Sequence, residues 1–383
     1  MARVAKDEPI EAIPSETEDS EVSLPGYHIL SYPADFTLEV LVGKWGKGEI
    51  VIPPLQRLFL WSQIRASKLI ESFLMGLPVP PVFFYLQRGT NKLLVVDGHQ
   101  RLRSIVDFFS GKFGDEVPGK ERPDFILTGL DDKSPYHEIS YERLRQENES
   151  SFNMLNNSVL RSFVVQQIQP EDDTSIFQIF ERLNTGGVVL QGQEIRNCIY
   201  DGTFNEVLCG HTNATRLNKD SNWRKIFGSP SEDKRQRDVE LILRFFALHY
   251  SHKTYKKPMK DFLNKFMKTH RRDSPNELAT FCKLFRDTAA AVIKILGEKP
   301  FHIHVGLNAA VYDSVFTAFA DNLDKLSANY STRRGRSELK VRYEKLLRNK
   351  KYISHVSSAT TDQDVVSKRL RLAKRILFGS VSP

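Results

Sequence analysis

Apolar and polar positions are most informative from Lys92 to Phe109, KLLVVDGHQRLRSIVDFF. Leu93 to Val96 are four consecutive apolar residues, which predicts a short strand buried on both faces. A tight turn follows at Asp97-Gly98. Leu102, Ile105, Val106 and Phe109 then recur at helical spacing, so a helix should open near His99 or Gln100 and stop at Gly111. Upstream, Glu49–Ile52 reads as a strand, and Ser62 as the N-cap of a helix to Met75. Ala66, Ile70, Phe73 and Leu77 share one face of that helix, which ends at Gly76 and Pro78. Val82–Leu86 is a further strand, joined to the next by a hairpin-length loop with Gly89. The ordered body is expected to begin at Tyr32–Leu41. Gly43–Gly48 lacks the spacing of a phosphate loop and reads as a plain loop.

Downstream the same reading gives a linker or mobile lid at Lys112–Asp124, helical tendency over Tyr141–Asn157 and a strand over Leu160–Ile168. Asp173 or Thr174 can cap a helix with Ile176, Ile179, Phe180 and Leu183 inward, stopping at Asn184-Thr185-Gly186-Gly187. Glu194, Arg196 and Asn197 fall on the helix after it and read as a polar cluster. From Arg235 the chain is almost wholly helical. Val239, Ile242, Leu243 and Phe246 share a face. In Val365–Phe378, Val366, Leu370, Ala373 and Leu377 point inward and Lys368, Arg369, Arg371, Lys374 and Arg375 outward. The fold class expected is α+β, with a mostly α-helical C-terminal region.

Composition narrows the picture. With 40% hydrophobic and 27% charged residues, the chain is an ordinary globular one of one large or two modest domains. No apolar run reaches the ~18 residues of a membrane span. Cys198, Cys209 and Cys282 form no C-x-x-C, and with no signal-peptide core a cytoplasmic location is expected. The net charge of +8 is unevenly spread: residues 1–23 hold seven acids and two bases, or −5, which leaves +13 for the rest. That acidic stretch, free of apolar periodicity, reads as a disordered tail. Ser251–Arg272 holds eight bases against Asp261, and Ser331–Lys351 nine against Glu338 and Glu344. Such clusters are the electrostatic footprint of a nucleic-acid binder or simply solvated basic helices. Lys345, Arg348 and Arg371 are the candidate DNA contacts.

The candidate chemistry sits at Asp97–Arg101. A strand running into a helix presents the helix's first N–H groups to an anion. Arg101 adds a planar fork suited to phosphate, and Asp97 can hold a divalent cation or polarise a water. The plainer alternative is that Asp97 caps the helix and Arg101 makes a surface salt bridge. A second Gln-Arg pair, Gln56-Arg57, follows Ile50-Val51-Ile52-Pro53-Pro54. His302 and His304 have no cysteine or second pair nearby, so zinc is not expected. The Walker and dinucleotide fingerprints are missing.

Four stretches in order resemble one family: Ile50–Arg57, Gly76–Pro81, Asp97-Gly98-His99-Gln100-Arg101 and Phe180–Leu190. They are similar to the I-V-P-x-Y-Q-R, G-x-P-x-P-P, D-G-Q-Q-R and F-x-x-L-N-x-G-G-x-x-L segments of the N-terminal domain of GmrSD-type restriction systems, within the ParB/sulfiredoxin-like superfamily. Leu55 stands in place of the usual tyrosine and His99 in place of a glutamine. The resemblance implies a ParB-like nucleotide-binding domain over 24–200, followed by a basic helical domain over 201–383. It implies binding and hydrolysis of a nucleoside triphosphate, with Mg²⁺, coupled to action on DNA in bacterial restriction or phage defence. Carried over by position, Asp97, His99, Gln100 and Arg101 are the catalytic candidates, with Asp97 the metal candidate. Gln56, Arg57, Gly98 and Asn184 would bind nucleotide or phosphate. His99 adds a titratable group, so hydrolysis would vary with pH near about 6 to 7, or be lost. A nuclease or nickase working from the same pocket, and a non-enzymatic nucleotide-gated adaptor, stay open beside it. So do a partner nuclease subunit and a homo-oligomer. No HNH-type set occurs in residues 250–383, and Glu338-Leu339-Lys340 only faintly matches another nuclease pattern.

Overall fold

The structure, a computed structural model, describes residues 26–379 apart from 53–60, 91, 116–118, 171–174, 177–178, 180–190, 211–215, 234 and 304–305. The expected acidic tail, Gln56, Arg57 and Asn184 therefore lie outside the described residues. The chain divides into two compact units, Pro25–Leu190 and a second that includes Gln191–Pro383. The architecture is α+β: a mixed sheet with helices first, then a helical region.

In the first unit the strands β1 (His28–Pro33), β2 (Phe36–Thr37), β3 (Ile50–Val51), β4 (Val82–Leu86), β5 (Leu93–Asp97), β6 (Val159–Leu160) and β7 (Ser162–Gln169) alternate with helices. These helices are α1 (Leu38–Gly46), α2 (Gln63–Leu74), α3 (His99–Ser110), α4 (Tyr141–Glu147) and α5 (Glu149–Asn157). The main sheet runs β1-β7-β4-β5-β3, and β2 pairs with β6 separately. β3 lies parallel to β5, with Ile50 opposite Leu93 and Val51 opposite Leu94. β4 is antiparallel to β5 and parallel to β7. Leu38, Ala66, Ile70, Phe84, Val95, Leu102, Ile105 and Phe108 build one core between sheet and helices.

Local chemistry explains these elements. Ser62 accepts from the Arg65 N–H and starts α2, and Gly76, at φ +68°, turns the chain away after it. Leu77 was expected on the buried face of α2; it lies past that turn and is exposed. Gly43–Gly46 was expected as loop but forms the last turn of α1. Thr37 caps that helix, and burial of Leu38 and Leu41 outweighs the low helix propensity of glycine. Order also starts earlier than Tyr32, at β1, whose residues are all exposed and so carry no buried pattern to read.

The described residues of Lys112–Asp124, expected as a linker or mobile lid, are tied to the far end of α3. Asp107, buried near the C-terminal end of α3, accepts from Arg103 Nε at 2.8 Å, Arg122 Nη2 at 2.6 Å and the Gly114 N–H at 3.0 Å. Phe113 packs edge-on to Phe125. These residues are thus fastened about 16 Å from the opening of α3, at 1.5 Å per residue.

The second unit contains α6 (Gly192–Ile199), α7 (Thr203–Cys209), α8 (Ser221–Phe227), α9 (Arg237–Ser251), α10 (Met259–His270), α11 (Pro275–Leu296), α12 (Ala309–Ala320), α13 (Leu323–Asn329), α14 (Arg333–Leu347), α15 (Lys350–Ser357) and α16 (Gln363–Phe378). α12 is buried along its whole length. Val366, Leu370, Ala373 and Leu377 are buried as their spacing predicts. Arg369 is not outward as expected: it is fully buried, its Nη2 2.9 Å from Asp313 Oδ2. Asp313 is buried too and takes Arg244 through Nη2 at 2.6 Å. A helical wheel assigns charge to water by default, and here a buried counter-charge reverses that.

Candidate functional site

Asp97 is the last residue of β5, and Gly98, at φ +92°, is the hinge into α3. That φ disfavours any L side chain. Space forbids one as well, because a Cβ at Gly98 would lie 2.4 Å from Val82 Cγ1 and 3.0 Å from Arg101 Nη2. The sharp turn lets Asp97 and Arg101, a strand end and a helix first turn, meet. Arg101 Nη2 donates to Asp97 Oδ2 at 2.9 Å and to the Pro81 carbonyl at 3.0 Å. Asp97 does not cap α3, which has no side-chain cap and no acidic residue in its first turn. The Arg101 side chain is only 18% exposed, and its Nε is buried without a hydrogen-bond partner among the described residues. Asp97 stays 39% exposed. The plainer expectation of an Asp97–Arg101 salt bridge is thus present, at a recessed corner rather than on an open surface.

His99 and Gln100 form the other half of the turn. Gln100 Oε1 accepts the Trp61 N–H at 3.3 Å, which turns the Gln100 amide nitrogen toward His99. That nitrogen lies 2.8 Å from His99 Nε2. Since the amide nitrogen can only donate, His99 Nε2 accepts, and the ring is neutral with its proton on Nδ1. Burial agrees: it pulls His99 down to about 4, with Arg101 acting in the same direction and Asp97 opposing. The expected pH response near about 6 to 7 is therefore moved well to the acid side, because a recessed imidazole loses its hydration when charged.

The other Gln-Arg pair, Gln56-Arg57, lies outside the described residues, but both of its flanks are placed. β3 runs parallel beside β5 toward the same sheet edge as Asp97, and Trp61, after the pair, is tied to Gln100. Trp61 is itself overlaid by the Arg65 guanidinium at 4.3 Å. The sequence gives no sign of the roles of Trp61, Val82 or the Pro81 carbonyl, since each acts through backbone or close packing. Among the described residues no three His, Cys, Asp or Glu side chains gather as a metal site. A Mg²⁺ ion here would be held by Asp97 together with oxygens of the ligand, the usual manner of nucleotide-bound Mg²⁺.

In the second unit Glu194, Arg196 and Asn197 are buried as the polar cluster expected of them. Arg196 Nη2 pairs with Glu240 at 2.9 Å, and Gln193 Nε2 donates to Asn197 Oδ1 at 2.8 Å. Lys345, Arg348 and Arg371 are exposed there.

The fold and the corner define an α+β domain with a strand-to-helix turn that recesses an arginine beside an aspartate. Residues 38–200 match the family model of the GmrSD restriction endonuclease, N-terminal domain, and this part of the chain is a member of that family. The match takes in Gln56, Arg57, Asp97 to Arg101 and Asn184. A comparison with curated proteins gives no match. The matched part is thus of the kind described as the N-terminal domain of a restriction endonuclease, and among the described residues no helix is long and apolar enough to cross a membrane.

Proposed function

We propose that the Asp97–Arg101 turn binds the phosphates of a nucleoside triphosphate with Mg²⁺ and hydrolyses it slowly, in a DNA-associated protein of bacterial restriction or phage defence. One observation carries the reading: Arg101 is recessed beside an uncapped helix start, with its Nε buried and unpartnered among the described residues. A buried donor without an acceptor is costly, and a phosphate oxygen is the acceptor that both the guanidinium and the first N–H groups of α3 fit. Asp97 would face the metal, and Gln56, Arg57 and Asn184 would join from their family positions. Phosphoryl transfer needs mainly positioning and charge stabilisation, which such a set supplies. A partner nuclease subunit would then do the cutting.

The adaptor reading has an observation of its own. His99 Nε2 is taken up by Gln100 and Asp97 Oδ2 by Arg101, so both candidate bases of the turn are already engaged in hydrogen bonds. Phosphate release from a panel of nucleoside triphosphates with Mg²⁺, for wild type, Asp97→Ala and Arg101→Ala, separates the cases. Release by wild type that falls at least about tenfold in both variants supports hydrolysis. Binding with no release supports the adaptor. Equal release in all three removes the site.

A further inference from the structure

We propose that the outward face of α14, continued by Lys350 and Lys351 at the start of α15, holds the phosphate backbone of a DNA duplex. The inference rests on the DNA-associated reading and says where in the helical unit that contact lies. Gly335, Leu339, Tyr343 and Leu346 are the buried side of α14. At about 100° per residue, Arg333, Arg334, Lys340, Lys345 and Arg348 fall within roughly 140° on the opposite side. All five are exposed, as are Lys350 and Lys351, and no side chain of the seven makes an ion pair or hydrogen bond among the described residues.

The neighbouring cations are used differently. Arg342 holds Glu338 at 2.5 Å and the Leu377 carbonyl at 3.1 Å. On α16, Lys368 pairs with Asp364, Lys374 with Asp321 and the buried Arg369 with Asp313. Arg371, exposed as well, bonds through Nε to the Ser367 carbonyl of its own helix. On α16 three of the five cations, Lys368, Arg369 and Lys374, are thus paired with carboxylates, whereas the cations along the outward face of α14 are not.

Seven like charges with Glu344 as the unpaired acid among them repel one another, and a polyanion relieves that repulsion. A helix of this length spans about 22 Å, along which duplex DNA carries a charge every ~1.7 Å. A lipid surface fits less well. The apolar side of α14 is already buried in the unit, and Val341 is the one large apolar residue exposed on this helix.

The test is fluorescence anisotropy of a labelled duplex with the full chain across a KCl series, for wild type, K340Q/K345Q/R348Q and K283Q. Lys283 is exposed but already pairs with Asp287, so it controls for charge alone. The triple variant should bind at least about tenfold more weakly at low salt, and its slope of log affinity against log salt should be shallower by about 2 to 3. K283Q should match wild type, and circular dichroism should show all three equally folded. Wild-type binding with an unchanged slope in the triple variant overturns the α14 track and leaves the DNA-associated reading standing. Wild type that binds anionic vesicles but no duplex overturns both.

Discussion

Gly98→Ala is the sharpest perturbation of the turn that positions Asp97 and Arg101. An L residue at φ +92° costs about 1–2 kcal/mol. The new methyl would also stand 2.4 Å from Val82 Cγ1, and Val82 is fully buried at the start of β4. Overpacking of that kind costs about 1–3 kcal/mol. The sum is about 2–5 kcal/mol, a large part of the about 5–15 kcal/mol that holds a domain folded. Urea unfolding of the full chain, with hydrogen exchange read at β4, β5 and α3, measures the loss where it should fall. Val82→Ala removes the overlapping methyl but not the backbone strain. The double variant should therefore recover about 1–3 kcal/mol relative to additivity. A loss below about 1 kcal/mol for Gly98→Ala, or simple additivity with Val82→Ala, would refute the close-approach argument.

Three further outcomes follow from the same geometry. His99 has a folded pKa of about 4 against the ordinary 6.5, so the unfolded chain takes up the proton first and stability is lost as pH falls below about 6.5. His99→Gln should remove about 2 kcal/mol of the difference in unfolding free energy between pH 7 and pH 5, and an unaltered pH dependence would contradict the neutral, recessed ring. Asp313→Asn leaves Arg244 and Arg369 buried without their carboxylate and should cost about 3–5 kcal/mol by chemical denaturation; a change under about 1 kcal/mol would mean the site admits water. Asp107→Asn loosens Arg103, Arg122 and Gly114 together, so limited proteolysis should cut first within Lys112–Asp124; no new cleavage there would show the segment is held by its aromatic packing instead.

Much of the first unit is legible in the chain because its signals are local. Four apolar residues followed by Asp-Gly mark β5 and its turn, and Ser62 with Gly76 brackets α2. The resemblance read from the four motifs is borne out by the family match over residues 38–200. What escaped local reading depends on distant partners. Arg369 looks solvated until Asp313, from α12, is brought against it. Likewise Trp61 declares its role only through a backbone bond to Gln100. Burial sets the protonation state of His99, and nothing in D-G-H-Q-R announces that. Glycines within Gly43–Gly46 argue for a loop by propensity and lose to the burial of Leu38 and Leu41.

The central claim is that Arg101 faces phosphate. Isothermal titration of Mg²⁺-nucleoside triphosphates and of inorganic triphosphate into wild type and Arg101→Ala tests it most directly. Loss of a charge-assisted contact worth about 1.5–3 kcal/mol should weaken binding roughly tenfold to a hundredfold. Equal affinities for the two proteins, or no binding by either, would contradict it.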